Sequence, residues 1–142
     1  MQYSELLRLH YFDIVRCHVL DPMHNLYLGT AKNVITLWKN NNIISESKFL
    51  AIQEKMDAIL VPAHVGGLPG KIASAFSGFT AEQWMAWTII YSPFVLKDFL
   101  PPEHYDMWCI FSRSCSILCR PFIHQTEVVK ADELMLQFCQ KF

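Results

Sequence analysis

Charge is scarce in this chain. Asp, Glu, Lys and Arg make up 18% of its 142 residues, with 12 basic and 13 acidic side chains and a formal net charge of −1. A stand-alone nucleic-acid binder carries a basic excess or a basic stripe, and here the basic residues are scattered. Charge therefore gives no support to autonomous DNA binding, although it leaves room for a subregion of a DNA-handling protein. A CxxC pair is also missing. The five cysteines, Cys17, Cys109, Cys115, Cys119 and Cys139, are odd in number, which fits a reducing compartment better than a disulfide framework. Cys115 and Cys119 are i,i+4 neighbours, a spacing that can place two ligands together. Without a second matching pair the zinc reading is the weaker one, and buried free thiols are the better.

Long apolar runs are absent too. The most apolar stretch, MAWTIIYSPFVL, is far short of the ~20 residues a membrane span needs, and Pro93 interrupts it. The N-terminal MQYSELLRLHYF has neither an apolar core nor a small-residue cleavage site, so no secretory signal is read. The expected location is intracellular, with no membrane association. No GxSxG, HExxH or GxGxxG occurs, and GGLPGKIAS places Ile72 where a P-loop needs Ser or Thr.

Apolar side chains, by contrast, are abundant: 52% of the residues are hydrophobic and 13% aromatic. That composition argues against disorder, and the length suits one domain with a real core over 1–142. So little surface charge points to a surface normally covered, by a partner protein or by more of the same chain.

The pattern is mainly helical, with five to six helices and at most one short strand, over 13–20. Asp21-Pro22 marks a helix start, with Asp as N-cap and Pro at the first helical position. Met23, Tyr27, Ala31, Val34, Ile35 and Trp38 then fall on one face, and KNNN at 39–42 ends the helix. A second helix is expected over 46–60, with Phe49, Ile52, Gln53, Met56, Ile59 and Leu60 as its stripe and Pro62 as its stop. Residues 61–71, rich in Pro and Gly, read as a hinge or functional loop. Thr80 and Gln83 form a capping box for a helix carrying Trp84, Trp87, Ile90 and Tyr91, which Pro93 should kink or split. Pro101-Pro102 opens a helix over about 102–119. It carries His104, Trp108, Phe111, Cys115 and Leu118, widened by Met107 and Ile110, so burial on several sides is expected. Pro121 ends it, and Thr126 is the expected cap of a last helix with Val128, Met135, Phe138, Cys139 and Phe142. The chain starts without an obvious element and stops inside an apolar pattern, which reads as a fragment of a longer protein.

Chemistry concentrates in HVLDPMHNLYLGT, residues 18–30. Locally, Asp21 as a helix cap followed by a tolerated His24 accounts for the pattern. A carboxylate beside an imidazole at a strand-to-helix junction can also bind a metal or orient a turn. A third reading is a metal site of His18, Asp21 and His24, the weakest because ligands close in sequence often fail to converge.

The block YSELLRLHYFDIVRCHVLDPMHNLYLGTAKNVITLW, with its D-x-M-H-N-L-x-L-G pattern, resembles CACTA-type (En/Spm-like) transposases and the transposase-domain proteins derived from them. The later KIASAFSGFTAEQW, LPPEHYDMWCIFSRSC and LCRP are similar to blocks of the same family, so the resemblance covers nearly the whole chain. It implies an RNase H-like parent enzyme that cleaves and transfers DNA strands in the nucleus with three acids and Mg or Mn. It also implies that 13–20 is a strand of that fold and 22–142 its helical insertion. Asp21, His24 and Asn25 match the family's Asp-x-x-His motif. The first two acids would precede Met1, and the family's Glu-Arg-x-Asn-Gly block does not occur here. The resemblance therefore implies no catalytic residue, resident metal or cofactor for this chain alone, and contact with DNA only through the full-length parent. The alternative is a helical protein-interaction module with no DNA role.

Overall fold

The computed structural model describes residues 8–13, 21–60, 72 and 78–142. The strand expected over 13–20 and the loop expected over 61–71 lie outside the described residues, apart from Asp13. Within them the chain is mainly α, in five helical stretches with no strand.

Helix α1 joins a wide-register part, Met23–Ala31, to an α-helical part, Lys32–Asn40. Asp21 starts it as the sequence predicts: its Oδ1 accepts from the Met23 N–H at 2.8 Å, and its carbonyl accepts from the Asn25 N–H at 3.0 Å. In the wide part the backbone bonds reach i→i+5, the π pattern, so the Lys32 N–H reaches the Tyr27 carbonyl. A register wider than 3.6 residues per turn keeps positions four apart on one face, which suits Met23, Tyr27 and Ala31. Tyr27, Ala31, Val34, Ile35 and Trp38 are buried as expected, and Met23 packs half-buried at their edge. The end of α1 is a Schellman turn. Asn42 takes φ 56°, its N–H bonds the Lys39 carbonyl at 3.1 Å, and the Ile43 N–H bonds the Trp38 carbonyl at 2.9 Å.

Helix α2, Glu46–Asp57, is capped by Ser45 and buries Phe49, Ile52 and Met56. It is shorter than the sequence predicts. The Ile59 N–H bonds Met56 rather than continuing the helix, and Leu60 is 96% exposed. A proline at 62 has no N–H to offer the Ala58 carbonyl, and in a continued helix its ring would clash with that carbonyl, so the sequence does not carry the helix to that point.

Helix α3 starts at the predicted capping box. The Gln83 N–H donates to Thr80 Oγ1 at 3.3 Å, and the Thr80 N–H donates to Gln83 Oε1 at 2.9 Å. The helix runs as Ala81–Ala86, a wide turn at Trp87–Tyr91, then Ser92–Val95 and a tight last turn at Leu96–Asp98. Pro93 does not split it; the helix passes through by changing register. The Ser92 N–H bonds the Trp87 carbonyl, an i→i+5 bond. In that register the next carbonyl, Thr88, would bond the N–H of residue 93, which proline lacks. Two serine hydroxyls take its place: Ser92 Oγ at 3.1 Å and, from the next helix, Ser112 Oγ at 2.8 Å. The Trp108 indole N–H then donates to Ser92 Oγ at 2.7 Å. The register change also turns Ile90 outward, 51% exposed, where a buried position was expected; Thr88 and Ser92 are buried instead.

Helix α4, Pro102–Leu118, has Pro101 at its N-cap and Pro102 at its first position. It is buried on several sides, through Met107, Trp108, Phe111, Ser112, Ser114, Cys115 and Ile117. Leu118, expected in its stripe, is only partly buried. Helix α5, Gln125–Lys141, begins before Thr126, so Thr126 is not its cap. Glu127 reaches back instead, its carboxylate accepting from the His124 N–H at 3.0 Å. The contacts Ser114 to Ala131, Asp106 to Lys141 and Phe111 to Phe138 order α4 and α5 antiparallel. Only Ala131 and Phe138 of α5 are fully buried; Val128 and Phe142, placed in its stripe by sequence, are 41% and 65% exposed, and Cys139 is exposed.

Aromatic rings carry the core. Trp38 lies 5.3 Å from Trp108, Trp108 5.5 Å from Phe111, and Phe111 4.8 Å from Phe138, centroid to centroid. This ladder ties α1, α4 and α5 together, and such tilted pairs add about 0.5–1.5 kcal/mol each beyond area burial.

Candidate functional site

The site begins with the geometry of the first turn of α1. Asp21 and His24 are three residues apart, the spacing that puts side chains on one face. His24 Nδ1 lies 2.5 Å from Asp21 Oδ2, while Asp21 Oδ1 holds the Met23 amide. The His24 hydrogen bond, and after it the Met23 amide, keep the Asp21 carboxyl below the usual carboxylate range. Both side chains are open to solvent, Asp21 at 50% and His24 at 77%. Asn25 sits beside them; its N–H bonds Asp21 and its carbonyl accepts from the Thr30 hydroxyl at 3.2 Å. Behind the pair, Gly29 allows the backbone to close up: a Cβ there would lie 3.0 Å from the His24 carbonyl oxygen.

The arrangement presents one imidazole oriented by one ionised carboxylate, reachable from solvent. Phosphoryl chemistry with two metal ions needs several carboxylates converging on ions about 3.5–4 Å apart. Asp21 supplies one carboxylate, already engaged by an amide and an imidazole. Among the described residues no group of three or more His, Cys, Asp or Glu could hold a metal ion. His18, the third member of the metal reading, lies outside the described residues. Asp21, His24 and Asn25 lie together in the first turn of α1.

Sequence reasoning missed a second cluster. Tyr27 Oη lies 2.9 Å from Cys119 Sγ, linking α1 to the end of α4. Cys115, one turn earlier, is fully buried and Cys119 half-buried. Burial first, and the neighbouring Cys119 second, push the Cys115 thiol up; burial and the Cys119 contact do the same for the Tyr27 hydroxyl. The i,i+4 spacing of the cysteines was visible in the sequence, but nothing there pairs them with Tyr27, 92 positions from Cys119. Farther along α4, Tyr105 is pushed up to about 12 by burial and then by its bond to Cys109. Its hydroxyl donates to the Pro93 carbonyl at 2.7 Å.

The surface keeps apolar side chains in the open. Ile90 and Phe94, one turn apart on α3, are 51% and 59% exposed, and Leu136 on α5 is 56% exposed. No helix among the described residues is long and apolar enough to cross a membrane. No protein-family profile, curated protein or solved structure matches the chain.

Proposed function

We propose that this chain is the helical insertion region of a transposon-derived, CACTA-like transposase protein, non-catalytic by itself. Its full-length parent would cleave and transfer DNA strands in the nucleus, using Mg or Mn held by acids outside this chain. The observation that carries the reading is the Asp21–His24 contact at the start of α1. The Asp-x-Met-His-Asn block that carries the family resemblance is also the place where the local geometry joins a carboxylate to an imidazole. Asp21 acts here as helix cap and orienting partner of His24. Reading the encoding DNA on both sides tests the proposal. Acid-bearing strands upstream and a Glu-Arg-x-Asn-Gly block downstream are expected; unrelated coding sequence on both sides would overturn it.

The exposed Ile90, Phe94 and Leu136 favour a second reading, a helical interaction module without DNA activity. Light scattering after size exclusion, with pull-down from nuclear and cytosolic extract, tests it. Under this second reading a self-associated species or a reproducible partner is expected. A monomer that captures nothing rules it out.

A further inference from the structure

Cys115 and Cys119 lie one helical turn apart on the same face of α4, next to Tyr27 of α1. At this spacing their Cβ atoms are about 5–6 Å apart, within reach of one bridging atom. Both thiols are free. Two sulfurs one turn apart suit an acceptor satisfied by two soft ligands.

We propose that Cys115 and Cys119 form a dithiol site that captures a trivalent arsenical. The step is a condensation, R–As=O plus two thiols giving R–As(SR)₂ plus water. Two As–S bonds form, the As–O bonds break, and both thiol protons leave with the oxygen. Arsenic stays trivalent, so no oxidant or reductant is needed.

The surroundings suit a neutral product. Burial and the adjacent sulfur both disfavour a thiolate at Cys115, and a monovalent metal held by two thiolates would leave a net negative charge there. The cyclic dithioarsenical is neutral and apolar, so it carries no such penalty. Cys119 is the entry point. It is half-buried at the C-cap of α4, where the chain leaves the helix, and Cys115 closes the ring from inside.

The experiment uses the full chain with one equivalent of phenylarsine oxide, read by native mass spectrometry and circular dichroism. One adduct per chain is expected with helicity kept, reversed by ethanedithiol and resistant to a monothiol. Cys119→Ser and Cys115→Ala should each lose the adduct, whereas Cys109→Ser and Cys139→Ser should keep it. Cys119 lies at a half-buried helix end, so its serine variant keeps the test valid should Cys115→Ala fail to fold. An unmodified wild-type chain, or an adduct that survives in Cys119→Ser, overturns the proposal. The result is independent of the transposase reading.

Discussion

Asn42 and Gly29 show how single residues hold the backbone where it departs from an ordinary helix. Among the described residues Asn42 alone, apart from glycine, has positive φ, 56°. A residue with a Cβ and no local polar group pays about 1–2 kcal/mol in that region. Asn42→Ala should therefore lose about 1 kcal/mol in urea unfolding, while Asn42→Gly should stay within about 0.5 kcal/mol of wild type. Equal effects of the two would mean that the turn does not depend on φ. Gly29 is a different case. Alanine in place of an interior helical glycine ordinarily adds about 1 kcal/mol, but here its Cβ would meet the His24 carbonyl at 3.0 Å. We expect Gly29→Ala to show no such gain in thermal melts; a full gain would mean that the first turn yields freely. Asp21, by contrast, was legible as a cap from sequence alone, because capping is set by residues adjacent in the chain.

At the scale of the element, α3 and α4 share one polar solution to a proline. The Thr88 carbonyl loses its partner because residue 93 has no N–H, and Ser92 and Ser112 replace it. Removing one of two donors from a buried carbonyl costs about 1 kcal/mol, and more when a donor on the other side is stranded. Ser112→Ala should lose about 1 kcal/mol. Ser92→Ala should lose about 1–3 kcal/mol, because the Trp108 indole then lacks its acceptor. In a Pro93→Ala background residue 93 regains an N–H, so Ser112→Ala should cost measurably less. A double-mutant cycle in urea reads that coupling, and strict additivity would show that Pro93 is not the cause. The wide turn was not legible in sequence. The Pro93 signal pointed to a kink or split, and the serines that resolve it sit on two helices.

Over the whole molecule, acid is the condition that should loosen several helix ends together. Asp21 is held low by His24 and the Met23 amide, Asp98 by Lys55, and Glu127 by the His124 amide and then Arg120. A carboxyl whose pKa falls on folding adds stability that is complete above its unfolded value, about 4. That stability is lost as pH drops through the lower folded value. The melting temperature should thus be flat just above that point and fall as pH goes below about 4. Asp21→Asn, Asp98→Asn and Glu127→Gln together should flatten the fall; an unchanged acid profile in the triple variant would remove these groups as its cause. The three act at separate places, the start of α1, the α2–α3 contact through Lys55, and the start of α5.

By itself, the sequence determined the helical class, the starts of α1, α3 and α4, and the buried face of α1. Each rests on interactions between residues within one turn, or on a period that repeats along one element. The tertiary structure alone decided which face of α5 is inside, why Ile90 points out, and what the buried serines are for. It also decided that Tyr27 meets Cys119. Those outcomes depend on which helix packs against which, and a periodic stripe does not name its partner. Asp21 and His24 belong to both: their spacing made contact possible, and the solvent-open first turn of α1 left them within reach.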